Sequence, residues 1–259
     1  MRRIVSIAIF GILLGCACAQ DWAKQRLEKS PRHGEWVDIK HDDRTVRAFV
    51  VYPETKKKAP VVIVIHEVFG LTDWARSVAD ELAANGYIAI APDLLSGMGT
   101  FNSTDDARAA IGKLDPNQVT ADLNAVAGYA KKIPSANGKI AVGGFCWGGG
   151  QTLRFATDRK DLSAVFSFYG PPPKDMASLA NVTAPVYGFY GGNDERVNAF
   201  IPEIQKILKG AGKKYDPVVY EGAGHGFMRA GEDPNDTNPA NKKARTEGWA
   251  RWLKLLKAM

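Results

Sequence analysis

The chain has 259 residues, of which 45% are hydrophobic and 24% are charged, and its formal net charge is +6. These proportions are ordinary for a globular protein and exclude a disordered, collagen-like or coiled-coil chain. A protein of this length buries roughly three quarters of its unfolded surface, so its core needs no disulfide or metal ion to hold it together. The positive charge is too small for a nucleic-acid-binding surface, and we expect no nucleic-acid partner.

The first 19 residues have the layout of a secretory signal peptide. Two arginines precede an apolar run, and the segment ends in Ala17-Cys18-Ala19, an A-x-A cleavage site. The apolar run is too short for a stable membrane span. We therefore predict a signal peptide over residues 1–19, a single mature domain over residues 20–259, and export to the periplasm or the medium.

The same segment has two other interpretations. Leu13-Leu14-Gly15-Cys16 resembles a lipoprotein signal, in which Cys16 would become the lipid-anchored first residue, and the run could instead form a buried N-terminal helix. The abrupt change to polar sequence at Gln20 favours removal of the segment. Removal before Gln20 would leave Cys146 as the one cysteine of the mature chain, and an internal disulfide would then be excluded.

The rest of the chain alternates between runs typical of strands and runs typical of helices. Short apolar, β-branched runs predict strands at 36–40, 46–52, 61–65, 87–91, 139–142, 164–168, 186–190 and 217–220. Helical periodicity predicts helices at 72–85, 105–113, 118–133, 148–157, 197–210 and 239–256. This alternation predicts one doubly wound α/β domain with a mostly parallel sheet and antiparallel N-terminal strands. Such sheets form their sites beyond the carboxyl ends of the strands.

The predicted strand at 139–142 runs into a glycine-rich turn that carries a cysteine. Gly144-x-Cys146-x-Gly148 is the nucleophile-elbow pattern G-x-S-x-G with cysteine in place of serine. The small flanking residues let strand and helix approach each other, and the positive end of the following helix favours a thiolate. We predict Cys146 as the nucleophile and the N–H of Trp147 as an oxyanion donor. A buried structural cysteine is the alternative.

The base and the acid that orients it follow from the chain order of elbow hydrolases, which is nucleophile, acid, histidine. Of the four histidines only His225 follows the cysteine. It lies in a glycine-rich loop after the last predicted strand, and we predict it as the base. Asp194, in the loop after the preceding strand, is the predicted acid that holds the imidazole tautomer. Glu195 and Glu221 are weaker alternatives for the acid.

Together these residues resemble the dienelactone hydrolase family, a family of the α/β-hydrolase fold. The resemblance covers nearly the whole mature chain and rests on the cysteine elbow with its acid and histidine. It also rests on His66-Glu67-Val68-Phe69-Gly70, on Pro92-Asp93-Leu94 and on the His-Gly-Phe segment at 225–227. The resemblance implies a single α/β-hydrolase domain. It also implies hydrolysis of esters and lactones such as dienelactone.

The resemblance implies roles for three further residues. A glutamate matching Glu67 holds the resting cysteine, the N–H of Val68 is the second oxyanion donor, and Arg229 binds a substrate carboxylate. From the residues alone, Glu67 could instead pair with Arg76, and Arg229 could be an ordinary surface residue. The family's second substrate-binding arginine is missing from the segment 92–98. A carboxylated substrate is therefore favoured rather than required.

The sequence thus predicts hydrolysis of carboxylic esters, first of all lactones of the dienelactone (carboxymethylenebutenolide) type, through a Cys-Asp-His triad and a thioester. The alternatives are a broad-specificity exported carboxylesterase or deacetylase, a non-catalytic exported binding protein, and a redox sensor. Tyr169, together with Trp147, Phe101 and Phe227, is a candidate wall of an aromatic substrate pocket. We expect a monomer that takes a small-molecule ester or lactone. No metal or other cofactor is expected, because four scattered histidines and one mature cysteine form no ligand cluster.

Overall fold

The computed structural model describes residues 20–101 and 103–259. The predicted signal peptide and the lipid-anchor alternative at Cys16 fall on residues 1–19, outside the described residues, and stay predictions. Within the part of the chain that the structure describes, no helix has the length and apolar character needed to cross a bilayer.

In the described residues, eight strands form one sheet. They are β1 (Gly34–His41), β2 (Arg44–Val51), β3 (Ala59–Ile65), β4 (Ile88–Pro92), β5 (Ala136–Phe145), β6 (Ala164–Phe168), β7 (Val186–Gly191) and β8 (Tyr215–Tyr220). Their order across the sheet is β1-β2-β4-β3-β5-β6-β7-β8. β1 pairs antiparallel with β2, and β2 with β4, whereas the remaining pairs are parallel. The prediction of a mostly parallel sheet with antiparallel N-terminal strands is confirmed.

Helices connect the strands and cover both faces of the sheet. They are α1 (Asp21–Glu28), α2 (Asp73–Ala84), α3 (Thr104–Ile111), α4 (Pro116–Lys132), α5 (Trp147–Asp158), α6 (Glu195–Asn198), α7 (Ile201–Gly210), α8 (Phe227–Ala230) and α9 (Pro239–Lys257). Four of them begin at a side chain that accepts a hydrogen bond from a first-turn N–H, namely Thr72, Ser103, Asp115 and Asn238. These N-caps fix the residues at which the four helices begin.

The sheet is buried on both faces, as the continuous apolar runs of its central strands require. In β3, Val61, Ile63 and Ile65 pack into a core with residues of α4, α5 and α7. Val62 and Val64 point the other way, into a core with residues of α2 and α9. All five side chains are fully buried, so the two helix layers clamp β3 and hold its carboxyl end in place.

Two segments differ from the sequence prediction. No element was predicted for residues 21–28, but they form α1, whose one buried residue is Ala23. Ion pairs from Arg26 to Glu81 and Glu232 dock this helix, together with Ala23 and Trp22, which pack against the core. The predicted helix at 197–210 is divided into α6 and α7, because a proline in the first turn of α7 has no N–H to continue a helix from α6.

Candidate active site

Cys146 lies in the sharp turn between β5 and α5. Its φ of 55° and ψ of −118° are unfavourable for an L-residue, so the turn is strained. A Cβ atom on Gly144 would lie 2.2 Å from the Gly148 carbonyl oxygen, and one on Gly148 would lie 2.3 Å from the His66 oxygen. Only glycine fits at either position, which is the steric requirement of a nucleophile elbow.

Cys146, His225 and Asp194 meet beyond the carboxyl ends of β5, β8 and β7. The distance from His225 Nε2 to Cys146 Sγ is 3.1 Å, and that from His225 Nδ1 to Asp194 Oδ2 is 2.5 Å. The Asp194 side chain is 5% exposed, whereas that of His225 is 32% exposed. A buried carboxylate at this distance accepts a hydrogen bond from Nδ1–H, which holds the proton on Nδ1 and leaves Nε2 free to take a proton from the thiol.

Two backbone N–H groups face the sulfur of Cys146. They belong to Trp147, the first residue of α5, and to Val68, and both act to lower the pKa of the thiol. Val68 lies in a tight turn that the Gly70 N–H closes onto the Glu67 oxygen at 3.3 Å. The two N–H groups that were predicted to stabilise an oxyanion therefore lie just after two neighbouring parallel strands, β5 and β3.

His66 shapes the loop that carries Val68. Its ring lies between two backbone groups, because the Leu94 N–H donates to Nε2 at 3.3 Å and Nδ1 lies 2.7 Å from the Glu67 carbonyl oxygen. Since Nε2 accepts, the proton is on Nδ1 and donates to that carbonyl. Burial lowers the pKa of His66 and keeps the ring neutral. His66 therefore joins the loops after β3 and β4.

The charges around the thiol are dominated by Glu67. This carboxylate is 4% exposed and accepts a hydrogen bond from Arg229 Nε at 2.7 Å. Burial raises the pKa of Glu67, and Arg229 opposes that rise. Burial also raises the pKa of the Cys146 thiol, and the charge of Glu67 raises it further. Glu67 does not pair with Arg76, whose carboxylate partner is Asp73.

Two cations around the site, Arg108 and Arg196, were not singled out by the sequence pattern. The guanidinium of Arg108, from α3, lies 5.7 Å from the centroid of the Phe69 ring, and that of Arg229 lies 5.2 Å from the same centroid. Arg196, from α6, is exposed and acts to lower the pKa of Cys146. Neither Arg108 nor Arg196 belongs to a local motif, so only the folded chain reveals where they lie.

Tyr169 lies beneath the histidine and has no exposed surface. Its ring packs edge-on against His225, with 5.0 Å between the ring centroids, and against Phe227, with 5.4 Å. Its φ of 41° is strained, and its hydroxyl makes no hydrogen bond with the described residues. In this conformation Tyr169 supports the imidazole, and its predicted contact with substrate stays a prediction.

A cavity of about 460 Å³ lies next to the loop that carries Val68. Its wall includes Phe69, Leu95, Phe101 and Ala107, and Cys146, His225 and Asp194 do not border it. Val68 and Trp147 pack against the same small apolar cluster as Phe101. Over residues 20–101 and 103–259, no three His, Cys, Asp or Glu side chains are grouped closely enough to hold a metal ion.

The fold and the site together define a class of protein. A nucleophile elbow after β5, an acid after β7 and a histidine after β8 are the arrangement of the α/β-hydrolases. The sequence profile of the dienelactone hydrolase family matches residues 46–259. The chain belongs to this family and is a hydrolase of esters or lactones.

The similarity to known proteins extends over most of the chain. A protein of Escherichia coli K12, provisionally named a carboxymethylenebutenolidase, is 33% identical over 213 residues, which are 76% of this chain and 76% of the relative. A protein of Methylorubrum extorquens with the same provisional name is 30% identical over 230 residues, 83% of this chain and 77% of that protein. The crystal structure of a protein from Klebsiella pneumoniae, provisionally described as a dienelactone hydrolase, matches with a TM-score of 0.78 and 26% identity. It covers 88% of this chain and 99% of that one.

Replacing Glu67 by glutamine tests the charge assignment at the thiol. The substitution removes a negative charge beside the sulfur and leaves Arg229 unneutralised, so the pKa of Cys146 is expected to fall. The thiolate is the form that reacts with iodoacetamide. The alkylation rate of Glu67→Gln near neutral pH should therefore exceed that of the wild type, and the midpoint of its pH profile should move to lower pH.

Glu195→Gln is the matched control, because it removes an exposed carboxylate from the loop next to Asp194. Its midpoint should equal that of the wild type. An unchanged or higher midpoint in Glu67→Gln would show that Glu67 does not set the charge of the thiol.

Proposed function

We propose that the protein hydrolyses carboxylic esters and lactones through a thioester on Cys146, with His225 as the base and Asp194 as its orienting acid. The observation that carries this proposal is the unbroken line of contacts from the buried Asp194 through His225 to the strained Cys146. A binding protein would gain nothing from the strain at the elbow, whereas a nucleophile needs its side chain held in the open.

In the first half of the reaction, His225 Nε2 takes the thiol proton as Cys146 Sγ attacks the carbonyl carbon. The negative charge that develops on the carbonyl oxygen is stabilised by the N–H groups of Trp147 and Val68. The raised pKa of the thiol keeps the proton on sulfur until His225 removes it. Collapse of the intermediate forms the thioester, and the leaving alkoxide or enolate takes the proton from His225.

In the second half, His225 takes a proton from a water molecule that attacks the thioester carbonyl. The same two N–H groups stabilise the second oxyanion, and Cys146 leaves and recovers its proton. Asp194 stabilises the imidazolium that forms in each half of the cycle. The product is a carboxylic acid. When the substrate is an enol lactone, the acid and the released enol, or its ketone tautomer, are parts of the same molecule.

The chemistry of a thiol nucleophile favours esters over amides. The tetrahedral intermediate formed from an amide expels the thiolate more readily than it expels the unprotonated amine. It therefore tends to return to the starting amide. Phenolates and enolates leave easily and need little protonation. Enol lactones of the carboxymethylenebutenolide type, for which the relatives are named, fit this requirement and are the substrate that we propose.

A broad-specificity carboxylesterase or deacetylase is the second candidate function, and one observation favours it. Arg229, the arginine that would bind a substrate carboxylate, is already engaged by the buried Glu67. The family's second arginine is absent from the segment 92–98. A neutral ester would leave the Glu67–Arg229 pair intact, whereas a carboxylate must compete with Glu67 for the guanidinium.

We further infer that the chain is exported, with residues 1–19 as its signal peptide. The support is the sequence layout alone, namely two arginines, an apolar run and an A-x-A site. The lipid-anchored form, beginning at Cys16, is the alternative.

The proposed thioester intermediate on Cys146 can be tested with an activated ester. With p-nitrophenyl acetate, Cys146→Ala should reduce turnover by about 10⁴-fold or more, because removal of a nucleophile abolishes the covalent route. Acid quenching of the wild-type reaction during turnover should trap acetylated protein, because a thioester is stable to acid. Peptide mass spectrometry would place the acetyl group on Cys146. Turnover in Cys146→Ala close to that of the wild type would contradict the mechanism.

The substrate is testable by comparing dienelactone with phenyl acetate, which carries no carboxylate. Arg229→Gln should lower kcat/KM for dienelactone about tenfold more than it lowers kcat/KM for phenyl acetate. The loss of the Arg229 charge beside Glu67 acts on the thiol with either ester, whereas a charge-assisted hydrogen bond to a substrate carboxylate is lost only with dienelactone. Arg154→Gln, at a partly exposed arginine whose hydrogen bonds go to Pro116 and Asn117, is the control. If the wild type prefers phenyl acetate, and Arg229→Gln affects both esters equally, the second candidate function is correct.

Export is testable by expressing the full chain in a Gram-negative host and sequencing the N-terminus of the periplasmic protein. The expected first residue is Gln20, and Cys16→Ser should not change it. A lipid-modified N-terminus at Cys16, or loss of processing in Cys16→Ser, would establish the lipoprotein alternative instead.

A further inference from the structure

The loop that carries His225 is rich in glycine. It spans residues 221–226 and contains Gly222 and Gly226, whose φ angles of 72° and 78° are positive. Glycine gives a loop many accessible conformations, so contacts from outside the loop must select one. The position of the imidazole therefore depends on what holds the residues around it.

Two asparagines hold the first part of this loop. The Gly222 carbonyl oxygen accepts hydrogen bonds from Asn193 Nδ2 at 3.0 Å and from Asn238 Nδ2 at 2.9 Å. The Asn193 backbone N–H also donates to the Ala223 oxygen at 2.9 Å. Because Asn193 directly precedes Asp194, these bonds join the loop of the acid to the loop of the base.

A third asparagine holds the residue next to the histidine. The Gly224 N–H donates to Asn241 Oδ1 at 2.8 Å, and Asn241 Nδ2 donates to Asp236 Oδ2 at 3.0 Å. Asn241 lies in the first turn of α9 and is 7% exposed. Both ends of its amide are bonded, so its orientation is fixed and its oxygen faces Gly224.

We propose that Asn193, Asn238 and Asn241 form an asparagine clamp that positions His225 between Cys146 and Asp194, and that Asn241 is its principal member. The three asparagines bond the three consecutive residues that precede His225, and Asn241 is the buried one, bonded to the nearest of them. The importance of the clamp for catalysis rests on the proposed function, whereas its effect on the contact between Cys146 and His225 does not. The clamp acts through His225 and contacts neither the substrate nor the reacting atoms.

Asn241→Ala removes the acceptor for the Gly224 N–H. A displacement of about 1 Å in a reacting group costs up to about 100-fold in rate, so kcat for phenyl acetate should fall about 10- to 100-fold while KM changes less than about twofold. Asn124→Ala is the control, because it removes an exposed hydrogen bond between α4 and Asp158. Thermal unfolding of each variant shows whether it is folded.

A second measurement does not depend on turnover. Iodoacetamide alkylation of Cys146 is followed over a range of pH in the wild type, Asn241→Ala, His225→Ala and the double variant. Asn241→Ala should slow alkylation near neutral pH toward the rate of His225→Ala. In the His225→Ala background the same substitution should change the rate less than about twofold, because the residue through which Asn241 acts is gone. Equal losses in both backgrounds would overturn the proposal.

Exchanging the two hydrogen-bonded residues, Asn241 and Asp236, should restore the function of the clamp. Asn241→Asp combined with Asp236→Asn keeps an acceptor for the Gly224 N–H and re-forms the 241–236 hydrogen bond in the opposite direction. This double variant should recover to within about threefold of the wild-type alkylation rate and kcat. Asn241→Asp alone places two carboxylates side by side and should recover less. If wild-type turnover is absent the proposed function fails, yet the alkylation cycle still tests the clamp.

Discussion

The close approach of two backbones at Gly148 is the constraint on which the site depends. The α-carbon of Gly148 lies so near the end of β3 that a Cβ would be 2.5 Å from the Ile65 oxygen and 2.3 Å from the His66 oxygen. Because β3 and β5 are parallel neighbours, this contact brings the loop after β3 to the elbow after β5. Val68 and Trp147 can therefore direct their N–H groups at one sulfur atom. A larger residue at position 148 would push the end of β3 away from the elbow and so separate the two donors.

The parts of the protein that were predictable are those with a local signal. The β-branched run of β3 predicted a buried strand, and the glycines around Cys146 predicted the elbow, because each pattern reflects a steric requirement of its own segment. The chain order of elbow hydrolases then led to Asp194 and His225, which the structure brings together. Parallel strands end at one edge of the sheet, so residues distant in sequence could be expected there without knowledge of the packing.

The parts that were not predictable depend on partners distant in sequence. α1 has one buried residue, and its helix is held by ion pairs from Arg26, so no apolar periodicity marked it. Glu67 was expected beside the cysteine, but its partner lies 162 residues away, at Arg229. Asn241 is an unremarkable residue in the first turn of a helix by sequence. Its importance arises only because α9 packs against the histidine loop.

The charge balance of the site fits the surroundings proposed for the protein. Glu67 forms an ion pair with Arg229, and burial together with the charge of Glu67 raises the pKa of Cys146. A thiol kept protonated is a poor target for oxidation as well as a poor nucleophile. The proposed export would place the one cysteine of the mature chain in an oxidising compartment, where a thiol that stays protonated is protected. In the proposed mechanism His225 Nε2, which lies 3.1 Å from Sγ, takes the thiol proton as the sulfur attacks a bound carbonyl.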